Sequence, residues 1–204
     1  FMDHLGYGHV ILCGHSMGAA NAIRYAARHP ERLDALALVD VGPTVMRQGP
    51  SQIQEFHRET ETLQRFEDFV ERAIKFNPHR RPEHLRYSLL HSLKRVDAGW
   101  TWKQDQRPRP RVQRSVEDEW SVANEERGRW MRADLATIRV PTLLLRGQVS
   151  TSLTQSSAAE AIVCLPDGEL VVIPRAGHTV QGDNPRDFAR ALDAFLERRV
   201  GSRP

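Results

Sequence analysis

The residues with the clearest chemical potential are a serine between two glycines and a histidine near the other end of the chain. Gly14-His15-Ser16-Met17-Gly18 fits the pattern G-x-S-x-G, in which the serine lies on a sharp turn between a strand and a helix. A serine hydroxyl is a weak nucleophile and needs a neighbouring base, for which His178 is the candidate. We therefore predict that Ser16 attacks a carbonyl carbon and that His178 takes its proton.

The residues around this serine have the pattern that such a turn requires. An apolar run over residues 10–12 precedes the turn, and an alanine-rich helical pattern begins at Ala19. Because the turn is tight, we expect Ser16 to be strained and side chains in place of either glycine to collide across the bend. Ser16 should then lie at a helix N-terminus, where the backbone N–H of Met17 can donate to a developing oxyanion.

The rest of the chain alternates between strand and helix patterns. Four apolar runs have the composition of buried strands: residues 10–13, 35–39, 140–145 and 170–173. Helical patterns separate them, which predicts the α/β class with a parallel sheet of about four strands. Between residues 45 and 131 the charge rises and helical patterns replace strand patterns, so we divide the chain at 1–44, 45–131 and 132–204.

Four segments carry a resemblance to a known family. They are Gly14-His15-Ser16-Met17-Gly18, Leu38-Val39-Asp40-Val41-Gly42-Pro43, Pro141-Thr142-Leu143-Leu144-Leu145-Arg146-Gly147 and Ala176-Gly177-His178-Thr179-Val180. In this order they resemble the α/β-hydrolase superfamily, in particular its lidded, esterase-like branch with a serine nucleophile. The resemblance spans nearly the whole chain. It implies hydrolysis of a small ester or related carbonyl compound through an acyl-enzyme without metal or cofactor, and a helical cap over residues 45–131.

The acid of the expected catalytic triad is not where most of the family has it. The family's aspartate follows the strand at 140–145, but that position is Thr151 here, and no carboxylate occurs from Gly147 to Ala159. Asp40, at the end of the second predicted strand, is the substitute that we assign. Asp183 lies near His178 in sequence but fits the start of the last helix, and a chain with no acid at all stays an alternative.

Three further residues are assigned to the substrate pocket. His15 is a competitor for the role of base, but a residue next to the serine on such a turn points away from it, and we place it among the pocket residues. Trp100 and Trp102 flank a predicted turn at Gly99 in the cap, where they either line the pocket or pack the core of the cap.

The composition is that of one ordinary globular domain with a small insertion. Of the 204 residues 40% are hydrophobic, and the net charge of +3 is too small to indicate nucleic-acid binding. No apolar run approaches the roughly 20 residues that span a membrane. We therefore predict a small-molecule substrate, no nucleic-acid or membrane partner and a cytoplasmic location, with Cys13 and Cys164 as buried thiols.

The start of the chain leads to a further expectation. The chain begins at Phe1 and lacks the strands and helices that precede the serine turn in the resembling family. We expect an incomplete hydrolase whose strand at 10–13 lacks a neighbour and promotes self-association, and an N-terminal targeting sequence stays open. The alternative functions are an inactive or binding-only pseudoenzyme, a carbon–carbon bond hydrolase and a cofactor-free haloperoxidase.

Overall fold

A computed structural model describes residues 1–45, 62–103 and 116–201, with the backbone alone for residues 116–120. The strands in these ranges are β1 (Val10–His15), β2 (Leu33–Val39), β3 (Thr62–Leu63), β4 (Leu93–Val96), β5 (Gly99–Trp102), β6 (Thr142–Gly147) and β7 (Gly168–Ile173). The helices are α1 (Met2–Leu5), α2 (Met17–Arg28), α3 (Phe66–Phe76), α4 (Pro82–Ser92), α5 (Val116–Thr137), α6 (Gln155–Cys164), α7 (Val180–Asp183) and α8 (Pro185–Arg199). A short 3₁₀ turn at Pro30–Arg32 joins α2 to β2.

The predicted four-stranded parallel sheet is confirmed, in the order β1-β2-β6-β7. Gly14 and His15 of β1 pair with Leu38 and Val39 of β2, so both strands end at the same level. Val39 in turn pairs with Leu145 of β6. The loops that follow the strands therefore meet at one edge of the sheet, where α/β proteins place their sites.

Helices cover both faces of the sheet, which is why most residues of β2 and β6 are apolar and buried. On one face, α2, α5 and α6 pack against the sheet through residues such as Ile23, Met131 and Ala161. On the other face, Phe195 of α8 packs against Val39 and Leu145. The core of the domain is thus two apolar layers with β2 and β6 between them.

The segment between β2 and β6 contains more than the predicted helices. Helices α3 and α4 pack against a three-stranded antiparallel sheet in the order β3-β5-β4. The hairpin of β4 and β5 was not predicted, because its alternating pattern is only four residues long on each side. The predicted boundary at residue 131 lies inside α5, and residues 46–61 and 104–115 of the predicted cap lie outside the described residues.

Strand β1 lies at an edge of the sheet and one of its faces is open. Val10 and Leu12 pack against the core, whereas Ile11 is 43% exposed and Cys13 is also exposed. The prediction of a buried Cys13 thiol is therefore wrong, because alternate residues of this strand face away from the core. Cys164 is only partly buried.

We expect this edge to promote self-association. Replacing Ile11 with lysine places a charge on the exposed edge and should shift the chain towards the monomer, because charged edge residues oppose strand pairing. Size-exclusion chromatography with light scattering measures the effect. Val163→Lys, at a more exposed apolar position on α6, is the control. A wild-type chain that is monomeric at every concentration would contradict this expectation.

Candidate active site

Ser16 occupies the turn between β1 and α2 in a strained conformation. Its φ of 53° is positive, which is uncommon for a residue with a side chain. Its backbone N–H donates to the Val39 carbonyl at 2.9 Å and so ties the turn to the end of β2. A Cβ on Gly14 would lie 2.6 Å from the Gly18 carbonyl oxygen, so the first glycine is required sterically, as predicted. The same expectation for Gly18 is wrong, since a Cβ there meets no described atom within 4 Å.

His178 follows β7 on a loop that returns over the end of the sheet. Its Nε2 lies 3.0 Å from Ser16 Oγ, within hydrogen-bonding distance. The ring is mostly buried, with 19% of the side chain exposed. Its backbone carbonyl accepts a hydrogen bond from His15 Nε2 at 2.8 Å, which fixes the loop against the end of β1.

Asp40 lies directly after β2 and completes a hydrogen-bonded chain with the other two residues. Its Oδ2 is 2.8 Å from His178 Nδ1, and its side chain is fully buried. The backbone is again strained, with a φ of 51° that turns the side chain back across the strand ends. Strand β6 contributes a further hydrogen bond to this carboxylate, since the N–H of Gly147 donates to Asp40 Oδ1 at 3.1 Å.

Ser150 is a further residue of this network and was not identified from the sequence. Its hydroxyl donates to Asp40 Oδ2 at 2.5 Å and accepts hydrogen bonds from the N–H groups of Ser152 and Leu153, each at 3.2 Å. Ser150 lies in the loop after β6, where the family's acid was expected, and from there it anchors the carboxylate of Asp40. The only available signal was the hydroxyl-rich run Ser150-Thr151-Ser152.

Asp183 lies near His178 in the fold but has other partners. Its Oδ2 accepts from the N–H of Gly177 at 2.9 Å, and its Oδ1 accepts from Asn77 Nδ2 at 2.8 Å. Asp183 therefore joins the histidine loop to the segment between α3 and α4. Thr151, at the position of the family's usual acid, lines a separate cavity of about 180 Å³ together with Asn77 and His178.

A larger cavity of about 420 Å³ opens beside Ser16. Most of its lining is apolar and comes from α2, the segment after β2, α5 and the loop after β6: Met17, Ala20, Val41, Val45, Ala123 and Leu153. Ser16 and His178 lie in its wall, as do the polar residues Asn124 and Arg127 of α5. The hydroxyl of Ser16 is thus accessible to a molecule of modest size.

The three residues assigned to the pocket from sequence lie elsewhere. Trp100 and Trp102 belong to β5 and pack edge-on against Phe66 and Phe69 in the core of the small sheet. Their assignment to the pocket was wrong because the hairpin directs them towards α3. His15 does not line the cavity either; it packs against the ring of His178 with the ring centroids 4.8 Å apart.

Burial lowers the pKa of His15 below its usual 6.5. The unfolded chain therefore binds a proton at this position at a higher pH than the folded chain does. As the pH falls below about 6.5, this difference reduces the free energy of unfolding. The contribution of His15 to stability is fully present above that pH and declines below it.

We accordingly expect the free energy of unfolding of His15→Gln to decrease less than that of wild type as the pH falls. Urea unfolding of wild type and variant at a series of pH values between neutral and mildly acidic measures the free energy of unfolding. His4→Gln, at an exposed position on α1, is the matched control and should leave the wild-type slope unchanged. An identical slope in His15→Gln and wild type would contradict the proposed origin of the effect.

The backbone N–H of Met17 is at the first position of α2, next to Ser16 Oγ. Within the described part of the chain it has no hydrogen-bond acceptor. The residue is 78% exposed and lines the cavity together with Ser16. The role of its N–H as an oxyanion donor stays a prediction.

Two other kinds of feature, a metal site and a membrane-spanning helix, are absent from the described residues. Residues 1–45, 62–103 and 116–201 contain no group of three or more His, Cys, Asp or Glu side chains arranged to hold a metal ion. None of the described helices combines the length and apolar character needed to cross a membrane.

The chain belongs to the α/β-hydrolase fold family, whose model matches residues 1–185. Esterase Rv0045c of Mycobacterium tuberculosis is 28% identical over 207 residues, which are 97% of this chain and 64% of that protein. The 2-(acetamidomethylene)succinate hydrolase of Mesorhizobium japonicum is 26% identical over 200 residues, which are 95% of this chain and 66% of that protein. The chain thus spans less than two thirds of the length of these two relatives.

The solved structure of the Mycobacterium tuberculosis esterase has the same fold. It superposes on this chain with a TM-score of 0.69 at 25% identity, and the alignment covers 96% of this chain and 63% of the esterase. This chain and that esterase therefore share one fold.

Proposed function

We propose that this protein is a serine hydrolase that cleaves a small carboxylic ester, or a related carbonyl compound, through an acyl-enzyme. The observation that carries the proposal is the hydrogen-bonded chain of Ser16, His178 and Asp40 in the wall of a cavity. Its two contacts, 3.0 Å and 2.8 Å, are of ordinary hydrogen-bond length. Relatives named as esterase and hydrolase support the same reaction class.

Acylation begins with attack of Ser16 Oγ on the substrate carbonyl carbon. His178 Nε2 takes the hydroxyl proton as the new C–O bond forms, and the carbonyl π-electrons move to oxygen to give a tetrahedral oxyanion. The bond to the leaving alcohol then breaks. The alkoxide takes the proton from His178 and leaves as the alcohol, and the acyl group stays on Ser16.

Deacylation repeats these steps with water. His178 takes a proton from water as its oxygen attacks the acyl carbon, and the proton is returned to Ser16 Oγ when the ester bond breaks. The acid product leaves, and the serine is restored. Asp40 holds Nδ1–H so that Nε2 is free to accept a proton, and its charge stabilises the imidazolium in both half-reactions.

Stabilisation of the oxyanion falls to the N-terminus of α2. The Met17 N–H is unpaired within the described residues and the helix dipole favours negative charge at this end. One such donor contributes about 10² to 10³ in rate. The serine and the donor come from adjacent residues, so the turn sets the geometry of both.

The direct test is hydrolysis of 4-nitrophenyl esters followed by release of 4-nitrophenol. An acyl-enzyme whose hydrolysis is the slower step produces a burst close to one equivalent of 4-nitrophenol per chain, followed by steady turnover. Short unbranched acyl groups suit the apolar cavity. A chain that binds these esters without releasing 4-nitrophenol would contradict the proposal and favour the binding-only alternative.

A further inference from the structure

We infer that the substrate of this site carries a carboxylate, which is bound by Arg127 and Asn124 of α5 in the wall of the cavity. This inference rests on the proposed function, because the carboxylate that it assigns belongs to the molecule whose carbonyl Ser16 attacks. Neither residue takes part in the proposed acylation and deacylation steps. Both line the same cavity as Ser16 and His178.

Arg127 is a cation without a counter-ion in the part of the chain that is described. One of its N–H groups, on Nη1, donates to the Gly42 carbonyl at 2.8 Å. No carboxylate among the described residues forms an ion pair with it, and Asp40, the acid that also lines the cavity, is occupied by His178, Ser150 and Gly147. A guanidinium has five N–H donors in a planar fork, so most of its donors have no partner among the described residues and can serve a ligand.

The surroundings strengthen the attraction of this cation for an anion. Arg127 is half-buried, so water solvates its guanidinium incompletely, and this burial lowers the pKa of the group. A guanidinium of this kind stays protonated in proteins. The walls beside it are apolar, and a charge in such surroundings interacts with an opposite charge more strongly than it does in water. A carboxylate would therefore compensate an existing desolvation penalty.

Asn124 adds a second donor at the same place. It lies three residues before Arg127, and residues at this spacing are neighbours on one helix face. Its Oδ1 accepts a hydrogen bond from the Val45 N–H at 3.2 Å. This orients the Nδ2 amide, a donor without a described acceptor, so that a carboxylate can accept from both side chains.

The matching substrates are monoesters of short dicarboxylic acids. The test compares the 4-nitrophenyl monoesters of glutarate, adipate and pimelate with neutral esters in which an isopropyl group of similar shape replaces the free carboxylate. Wild type should prefer the charged member of at least one pair in kcat/KM, mainly through a lower KM. Charge-assisted hydrogen bonds of this kind contribute about 10- to 100-fold.

Arg127→Gln removes the charge and keeps an N–H donor for the Gly42 carbonyl. It should reduce the charged-to-neutral ratio of kcat/KM by about 10-fold or more. Arg129→Met, on an exposed position of the same helix, should retain the wild-type ratio. An unchanged ratio in Arg127→Gln, or an equal loss with both esters, would show that Arg127 only supports the loop at Gly42 and would overturn the inference.

Binding without turnover separates this inference from the proposed function. Calorimetric titration of Ser16→Ala protein with monomethyl adipate should show saturable binding, weakened about 10-fold or more in the Ser16→Ala, Arg127→Gln double variant. Such binding in a chain that hydrolyses none of the esters would support the carboxylate site and refute the hydrolase. Absence of binding, or equal binding by the two proteins, would overturn the carboxylate site.

Discussion

Ser16→Ala is expected to abolish ester hydrolysis while leaving the fold intact. The hydroxyl is the only group of this residue that the proposed reaction uses, and its removal leaves no atom to carry the acyl group. Where a catalytic serine and a histidine act as a unit, loss of the serine reduces kcat by roughly 10⁶-fold. The change removes one oxygen at a site beside a cavity, so the thermal unfolding midpoint should change little.

The comparison for this variant is Ser121→Ala, a serine on an exposed part of α5. Initial rates with a 4-nitrophenyl ester, corrected for spontaneous hydrolysis, should be those of wild type in Ser121→Ala and indistinguishable from background in Ser16→Ala. Turnover in Ser16→Ala close to the wild-type rate would mean that another group, or a contaminating enzyme, performs the reaction.

Asp40→Asn is expected to have the second largest effect, a loss of about 10⁴-fold in kcat. The amide has nearly the same shape as the carboxylate, but it has one acceptor oxygen for the three donors of Gly147, Ser150 and His178. His178 then loses the partner that holds Nδ1–H and the negative charge that stabilises its protonated form. KM should change much less, because the substitution leaves the surface of the cavity nearly unchanged.

Asp183→Asn is the matched control for this assignment. Both carboxylates are buried and lie near His178, but Asp183 binds Gly177 and Asn77 rather than the imidazole ring. Its amide should affect the position of the histidine loop and reduce kcat by far less than Asp40→Asn does. If Asp183→Asn were the more damaging change, Asp183 rather than Asp40 would be the acid.

The sheet and the positions of Ser16 and His178 could be predicted from the sequence for a physical reason. Buried parallel strands are largely continuous apolar runs, and Gly14 reflects a close backbone contact within a few residues of Ser16. His178 follows the last such run. Features that depend on local geometry, or on the order of strands along the chain, can be recognised from the sequence pattern alone.

The rest of the site depends on contacts between distant segments. The pairing of β2 with β6 brings Ser150 to the carboxylate of Asp40, but a single hydroxyl in a loop has no sequence pattern of its own. Trp100 and Trp102 were misplaced because a short hairpin reverses the chain and buries them against α3. Arg127 was not identified because α5 has no strong apolar stripe from which its cavity-facing side could be deduced.

Covalent labelling measures whether Ser16 is activated by its neighbours. A fluorophosphonate reacts with a serine only where a base takes the hydroxyl proton and donors stabilise the charged adduct. Mass spectrometry of the treated, proteolysed protein should find one adduct per chain, on the peptide that contains Ser16, and no adduct after His178→Ala. An unlabelled wild-type protein, or an adduct on any other residue, would contradict the account.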